Sequence, residues 1–428
     1  MEKFHIEGGI PLKGEITPSG NKNSALPILA ATLLTDEPVI LRNVPNIRDV
    51  NDMRKLVASL GVKIDDLGVG AWRITARTVR PADLDPDLCR RIRASILLAG
   101  PMLARTGGFH LPPPGGDVIG RRRLDTHNLA LKALGAEVKY ARTAFSFQAK
   151  RLKGTNILLD EASVTGTENV LMAAVTAKGT TILRNAASEP HVQELCWMLN
   201  ALGANIRGIG SNTLQVEGVE SLHGGEFTIG PDYLEVVSFI GAAVVTAGEL
   251  RIHKAGNQYL DMIRFVFRRL GVNWEVDGED IIVPEKQRLK IEPDLGNAIP
   301  EIKSNIWPAF PTDLISIAIT VATQARGSVL FHDWMYPGRM YFTDKLVSMG
   351  AQIVLCDPHR VIVTGPTKLY GERAESPDIR AGMALLLAAL AVPGKSTIRS
   401  VGQIDRGYER VDEKLRSLGA KIERLIEN

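Results

Sequence analysis

The sequence predicts an α/β protein of two domains, each made of three copies of one repeating unit. Three observations lead there. At 428 residues the chain exceeds the roughly 100–200 residues that one core ordinarily organises. A short phrase, a helix tail ending in Leu or Met, then Gly, then Ala or Val, recurs six times at glycine spacings of 68–79 residues. Upstream of each phrase lies a nearly all-apolar stretch of helical length, the pattern of a helix buried on every side.

In chain order, two short alternating strands at 4–6 and 12–16 precede the first unit and are assigned to the C-terminal half. The first apolar helix covers 26–34, and its unit closes at Leu60-Gly61-Val62. The second covers 94–104 and closes at Leu134-Gly135-Ala136; the third covers 170–177 and closes at Leu202-Gly203-Ala204. Then come 239–247 with Leu270-Gly271-Val272, 314–325 with Met349-Gly350-Ala351, and 383–392 with Leu418-Gly419-Ala420. In each phrase Leu or Met ends the apolar stripe of a surface helix, and Gly takes the left-handed position that stops it. Alternating residues such as Ala136-Glu137-Val138-Lys139-Tyr140 then begin a strand. Grouped three and three, the units form one domain from 1–20 with 231–428, and a second from 21–230 that carries a loop at 111–123. The chain then crosses twice, near Ser19-Gly20-Asn21 and Gly230-Pro231-Asp232, and two crossings are expected to make a hinge with a ligand cleft.

Composition excludes several classes. Lys+Arg number 51 against 48 Asp+Glu, a net charge of +3, so the chain is neither a basic nucleic-acid coat nor an acidic tail. Cys89, Cys196 and Cys356 are widely spaced and form no C-x-x-C pair, which argues against a disulfide framework or zinc site. The opening Met1-Glu2-Lys3-Phe4-His5 lacks the apolar core of a signal peptide. The apolar run 383–392 is half of the roughly 20 residues a bilayer span needs. A cytoplasmic protein with no membrane segment is expected.

Charge gathers before the buried helices. Ser19-Gly20-Asn21-Lys22-Asn23 precedes the first, Arg90, Arg91 and Arg93 the second, Phe310-Pro311-Thr312-Asp313 the fifth and Asp378-Ile379-Arg380 the sixth. Helix N-termini attract anions, and Lys22, Arg93 and Arg380 reinforce that pull. A single such Lys or Arg reads more readily as a solvated surface group, and Asp313 as an ordinary first-turn carboxylate. Recurrence at equivalent places favours a phosphate- or carboxylate-rich ligand. The segment Pro112-Pro113-Pro114-Gly115-Gly116-Asp117-Val118-Ile119-Gly120-Arg121-Arg122-Arg123 reads either as a basic surface loop or as a lid whose arginines clamp an anion while Asp117 handles a proton. Tyr336-Pro337-Gly338-Arg339 and Asp405-Arg406-Gly407-Tyr408-Glu409-Arg410 add further cations. The Glu409/Glu413 and Arg410/Lys414 spacings read as a plain solvated face. No phosphate loop of Walker type, nucleophile elbow or H-E-x-x-H is present, and the eight His are scattered.

These phrases in this order, namely Ser19 to Pro27, Arg93-Ala94-Ser95-Ile96, Pro114-Gly115-Gly116, Phe310 to Asp313 and Asp405 to Arg410, resemble the enolpyruvyl transferases over the whole chain. The resemblance implies a fold of two inside-out α/β barrels, each of three repeats. It implies transfer of the enolpyruvyl group of phosphoenolpyruvate to the 3-hydroxyl of UDP-N-acetylglucosamine with release of phosphate, opening peptidoglycan synthesis. It requires no metal or organic cofactor, and its partners are these small molecules rather than nucleic acid or membrane. By resemblance Lys22, Arg122 and Arg406 hold the phosphate of phosphoenolpyruvate, and Arg93, Arg339 and Arg380 complete the anion site. Asn23 and Asp313 face the sugar hydroxyl, with Asp313 as base. Asp125, His127, Ser163 and Val164 lie along the nucleotide sugar, with Arg123 beside them.

The departures from the family pattern are informative. Asp117 stands where the family usually has Cys. An ordinary Asp titrates near 3.9 and a thiol near 8.5, so Asp117 serves as acid only if its site raises its pKa or relays its proton quickly. A carboxylate also forms no stable thioether with an epoxide, so resistance to fosfomycin is expected. Arg122-Arg123-Leu124-Asp125-Thr126-His127 replaces the common Arg-Pro-Val-Asp-Leu-His, and Glu161 stands where a basic residue is common. Those changes keep two alternatives in view: another nucleotide acceptor, or a non-catalytic nucleotide-sugar-binding relative.

Overall fold

The six repeated phrases are helix stops. Gly61, Gly135, Gly203, Gly271, Gly350 and Gly419 all have φ between +85° and +100° in the computed structural model, which describes residues 2–81, 84–116, 123–141 and 143–426. A Cβ strains such a backbone, so glycine ends the helix where other residues resist. The next amide reaches back into the last turn, as Ala136 N does to Leu131 O at 3.0 Å and Ala351 N to Leu346 O at 2.9 Å. The outer helices ended in this way are Arg48–Ser59, Asp125–Ala133, Pro190–Ala201, Asp261–Arg269, Thr343–Ser348 and Val411–Ser417.

The apolar stretches form the inner helices, and the described residues divide into two compact units, 2–19 with 231–426 and 20–116 with 123–230, each with its own apolar core. The first unit holds Tyr233–Val245, Ile315–Ala322 and Ile379–Ala391; the second holds Lys22–Ala31, Ala99–Thr106 and Val164–Ala174. Close approach explains two glycines. A Cβ on Gly241 would stand 2.8 Å from a Leu387 methyl and 3.0 Å from one of Ile317, so all three inner helices of that unit meet there. In the other unit a Cβ on Gly100 would stand 2.4 Å from the Asn169 carbonyl, whose side-chain Oδ1 accepts the Gly100 amide at 2.7 Å.

Each unit has three sheets among the described residues. Four-stranded sheets repeat one plan, in which a leading strand pairs in parallel with the strand after the inner helix, and two antiparallel strands follow. Asn156–Leu158 pairs in this way with Thr180–Arg184, Glu301–Lys303 with Gly327–His332, and Arg373–Glu375 with Gly394–Arg399. At the crossings the leading strand and its partner come from distant parts of the chain. Lys13–Ile16 pairs with Glu249–Ile252, and Gly225–Thr228 with Val39–Arg42. Asp232 N donates to Ser19 O at 2.9 Å in the first unit, and Asn21 N to Gly230 O at 2.8 Å in the second. Gly20 packs with the second unit, so close to Asn43 that a Cβ would lie 1.8 Å from its carbonyl oxygen. Among the described residues no helix is long and apolar enough to cross a membrane.

The plain solvated face expected around Glu409 to Lys414 needs correction. Lys414 Nζ lies 2.6 Å from Oε1 of buried Glu235 and 2.7 Å from Ser19 Oγ, which itself donates to Glu409. Helical spacing predicts which side chains share a face, but not that the crossing segment covers that face.

Candidate active site

In the first unit two candidate arginines, Arg339 and Arg380, converge on a single carboxylate. Asp313 lies in the short turn Thr312–Leu314 that leads into Ile315–Ala322. Arg339 Nη2 donates to its Oδ1 at 3.0 Å, and Arg380 Nε to its Oδ2 at 3.2 Å. Arg380 is the second residue of Ile379–Ala391, whose first turn is capped by Asp378 Oδ1 accepting the amides of Arg380 and Ala381 at 2.8 and 3.0 Å. Arg339 also faces Asp333 at 3.8 Å and Asp378 at 4.0 Å. Asp333 is wholly buried and accepts hydroxyls from Ser304 at 2.8 Å and Thr312 at 2.6 Å.

Both guanidiniums are buried, at 4% and 5% exposure. Burial works against their charge, yet the pull of Asp313 and its neighbours outweighs it and raises both pKa values above the usual arginine range. Arg339 Nε and Arg380 Nη1 find no hydrogen-bond partner among the described residues. Buried donors in that state favour an anion with oxygens to offer. Arg406 ends the turn Val401–Arg406, with Nη1 3.2 Å from Gln403 Oε1.

In the second unit Lys22 opens the inner helix that Asn21 caps through the Asn23 amide at 2.8 Å. Its ammonium is tied at 2.7 Å to Asp49, and both side chains are under a tenth exposed. A second group forms around Arg123, which donates to Asp125 at 3.1 Å and Asp160 at 3.0 Å. Arg93 Nη2 donates to the Arg123 carbonyl at 2.8 Å, and Thr126 Oγ1 to Asp160 at 2.7 Å. These carboxylates, with Glu161, favour the charged guanidinium of Arg123. Ser163 caps Val164–Ala174 by accepting the Gly166 amide at 3.2 Å. Asp117 and Arg122 lie outside the described residues, as do 118–121 of the expected lid.

His127 requires a correction. Its ring was expected along a nucleotide sugar, but the residue is 1% exposed. Asn169 Oδ1 accepts from Gly100, so the Asn169 amide nitrogen donates to His127 Nδ1 at 2.9 Å. The single ring proton therefore sits on Nε2, 3.1 Å from Thr165 Oγ1. Burial first, and the Arg93 charge second, push its pKa down to about 3. It holds two helices together as a neutral ring. The physical reason is the helix period: His127 shares the inward face with Ala130 and Leu131.

Sequence reasoning missed Asp49, Asp160 and Asp333. Each meets its cation or hydroxyl across a long stretch of chain, and no local pattern marks such a pairing. Asp378 was legible as a cap before Ile379-Arg380, although its approach to Arg339 was not.

A doubly held carboxylate among buried arginines, on a sixfold-repeated fold, is where comparison becomes decisive. The family model described as EPSP synthase (3-phosphoshikimate 1-carboxyvinyltransferase) matches residues 6–415. The chain belongs to this family of enolpyruvyl transferases. It is 56% identical over 425 residues to the UDP-N-acetylglucosamine 1-carboxyvinyltransferase of Bradyrhizobium diazoefficiens, covering 99% of this chain and 98% of that one. Identity to the protein of the same name from Treponema denticola is 52% over 423 residues, 99% of each chain. Among solved structures, the enolpyruvyl transferase NikO from Streptomyces tendae superposes with a TM-score of 0.88 at 26% identity, covering 100% of this chain and 99% of that one. EPSP synthase from Acinetobacter baumannii superposes with a TM-score of 0.77 at 19% identity over 100% of both chains, a likeness of fold alone. The α/β architecture is thus the enolpyruvyl transferase fold, and the chain is an enolpyruvyl transferase by family.

Proposed function

We propose that this enolpyruvyl transferase is a cytoplasmic enzyme that moves the enolpyruvyl group of phosphoenolpyruvate to the 3-hydroxyl of UDP-N-acetylglucosamine and releases inorganic phosphate, the first committed step of peptidoglycan biosynthesis. The observation that carries the acceptor is the 56% identity over 99% of the chain to a relative named for that reaction. The geometry of Asp313, Arg339 and Arg380 supports the chemistry.

In the first step carbon 3 of phosphoenolpyruvate gains a proton while the sugar oxygen bonds to carbon 2 and gives up its own proton. The tetrahedral ketal then loses phosphate and a methyl proton, which restores the double bond. Asp313 is assigned as the base at the hydroxyl, Asn23 to the sugar, and Asp117 as the acid toward carbon 3. Lys22, Arg122 and Arg406 are assigned to the phosphate, and Arg93, Arg339 and Arg380 to the remaining negative charge. Arg123, Asp125, Ser163 and Val164 are assigned to the nucleotide sugar, and His127 supports that region from within.

The test is phosphate release from phosphoenolpyruvate with and without UDP-N-acetylglucosamine. Acceptor-dependent release that is lost in Asp313→Ala supports the reading; none, in a folded chain that binds phosphoenolpyruvate, overturns it. A second acceptor remains in view because Asp125, Asp160 and Glu161 surround Arg123 with negative charge, which disfavours a diphosphate. Release with another nucleotide and none with UDP-N-acetylglucosamine would select it.

A further inference from the structure

Tyr408 is a large, 2% exposed side chain to which the reaction gives no role. The Arg380 guanidinium carbon lies 5.5 Å from its ring centroid, and the phenol favours the guanidinium charge. On its other side the phenol oxygen is 2.9 Å from Ser238 Oγ. Ser238 in turn donates to the Leu234 carbonyl at 2.8 Å, inside the helix Tyr233–Val245.

A hydroxyl has one proton, which settles the direction of this chain. The Ser238 proton points to Leu234, so Ser238 accepts from Tyr408. The Tyr408 proton therefore points away from Arg380, and the phenol offers a lone pair to the cation. With Asp313 on Nε, the guanidinium is gripped at one edge by a carboxylate and supported by a ring and a phenol oxygen. Arginine has many rotamers to lose. Here two neighbouring elements select one, leaving Nη1 as the donor without a partner among the described residues.

We propose that Tyr408 and Ser238 are positioning residues: the chain from Arg380 through Tyr408 and Ser238 to the Leu234 carbonyl holds the Arg380 guanidinium in the orientation that receives the anionic end of phosphoenolpyruvate. This rests on the assignment of Arg380 to that anion. Neither residue touches substrate, so the effect falls on binding of phosphoenolpyruvate rather than on proton transfer.

The experiment is steady-state phosphate release with Tyr408→Phe, Ser238→Ala, Arg380→Lys and the double variant Arg380→Lys/Tyr408→Phe, each checked by thermal melting. Tyr408→Phe keeps the ring and removes the acceptor. Loss of the phenol oxygen beside the guanidinium predicts a rise of about two- to tenfold in KM for phosphoenolpyruvate, with KM for the acceptor unchanged and kcat less affected. Ser238→Ala should shift KM the same way by less, because the phenol remains but its proton is no longer directed. Arg380→Lys should raise KM, and the double variant should add little to it, because the two residues act as one unit. An unchanged KM in Tyr408→Phe beside a raised KM in Arg380→Lys overturns the positioning role and leaves the Arg380 assignment standing. An unchanged KM in Arg380→Lys overturns that assignment instead, and the positioning role with it. If Tyr408→Phe melts below the assay temperature, Ser238→Ala decides on the same readout: a selective rise in KM sustains the proposal and an unchanged KM refutes it.

Discussion

Arg380 Nε stands 3.2 Å from Oδ2 of Asp313, so the cation assigned to the substrate anion holds the carboxylate assigned as base. Arg339 takes the other oxygen at 3.0 Å. A carboxylate gripped by two guanidiniums is a weak base. The donors left without a partner among the described residues, Arg339 Nε and Arg380 Nη1, belong to the same two guanidiniums.

Asp313→Asn keeps the shape and removes the base. Turnover is expected to fall by about 10²- to 10⁴-fold, the usual worth of a positioned general base. Phosphoenolpyruvate should bind at least as tightly, because the arginines lose a competing charge. Isothermal calorimetry against phosphate-release rates separates the two, and weakened binding would contradict the assignment of these arginines to the substrate anion.

Lys22 carries a structural load as well as its proposed substrate role. Its pair with Asp49 is buried on both sides. Removing one partner leaves a charge without its counter-ion, so Lys22→Met should lower unfolding stability by about 3 kcal/mol. Lys22→Met combined with Asp49→Leu should regain much of that while staying inactive. Urea denaturation measures the first effect and phosphate release the second.

Two groups in the second unit, His127 and Glu189, give stability opposite slopes with pH. His127 titrates near 3 when folded and near 6.5 when unfolded. Its stabilisation is complete above the unfolded value and is lost progressively as pH falls toward 3. Burial pushes Glu189 up to about 7, so its contribution is complete below the ordinary carboxylate range and is lost as pH rises through 7. His127→Gln should lose less stability than the parent between pH 7 and pH 5. Glu189→Gln should lose less between pH 5 and pH 8. Urea midpoints at those values are the check, and parallel shifts in parent and variants would refute the assignment.

An aspartate at 117 removes the thiol that an epoxide alkylates. Incubation with fosfomycin should leave activity unchanged over time, whereas Asp117→Cys should be inactivated progressively. Time-dependent loss in the parent chain would contradict this.

The sequence by itself determined the repeat, the inner helices and the stops between them, because each depends on local chemistry. An all-apolar helix has to be buried, and Gly350 or Gly419 at the end of an apolar stripe takes a φ that other residues avoid. Local pattern also marked Lys22, Asn23, Arg380 and Asp313 at helix starts, and motif order carried the family. What only the tertiary structure decided was which charges meet. Asp49 for Lys22, Asp160 for Arg123 and Asp313 for Arg380 come from distant stretches of chain. Ion pairing depends on distance through space, which no spacing along the chain encodes. The same holds for Lys414: spacing and charge suggested solvent, whereas the neighbouring helix gives its ammonium a buried carboxylate.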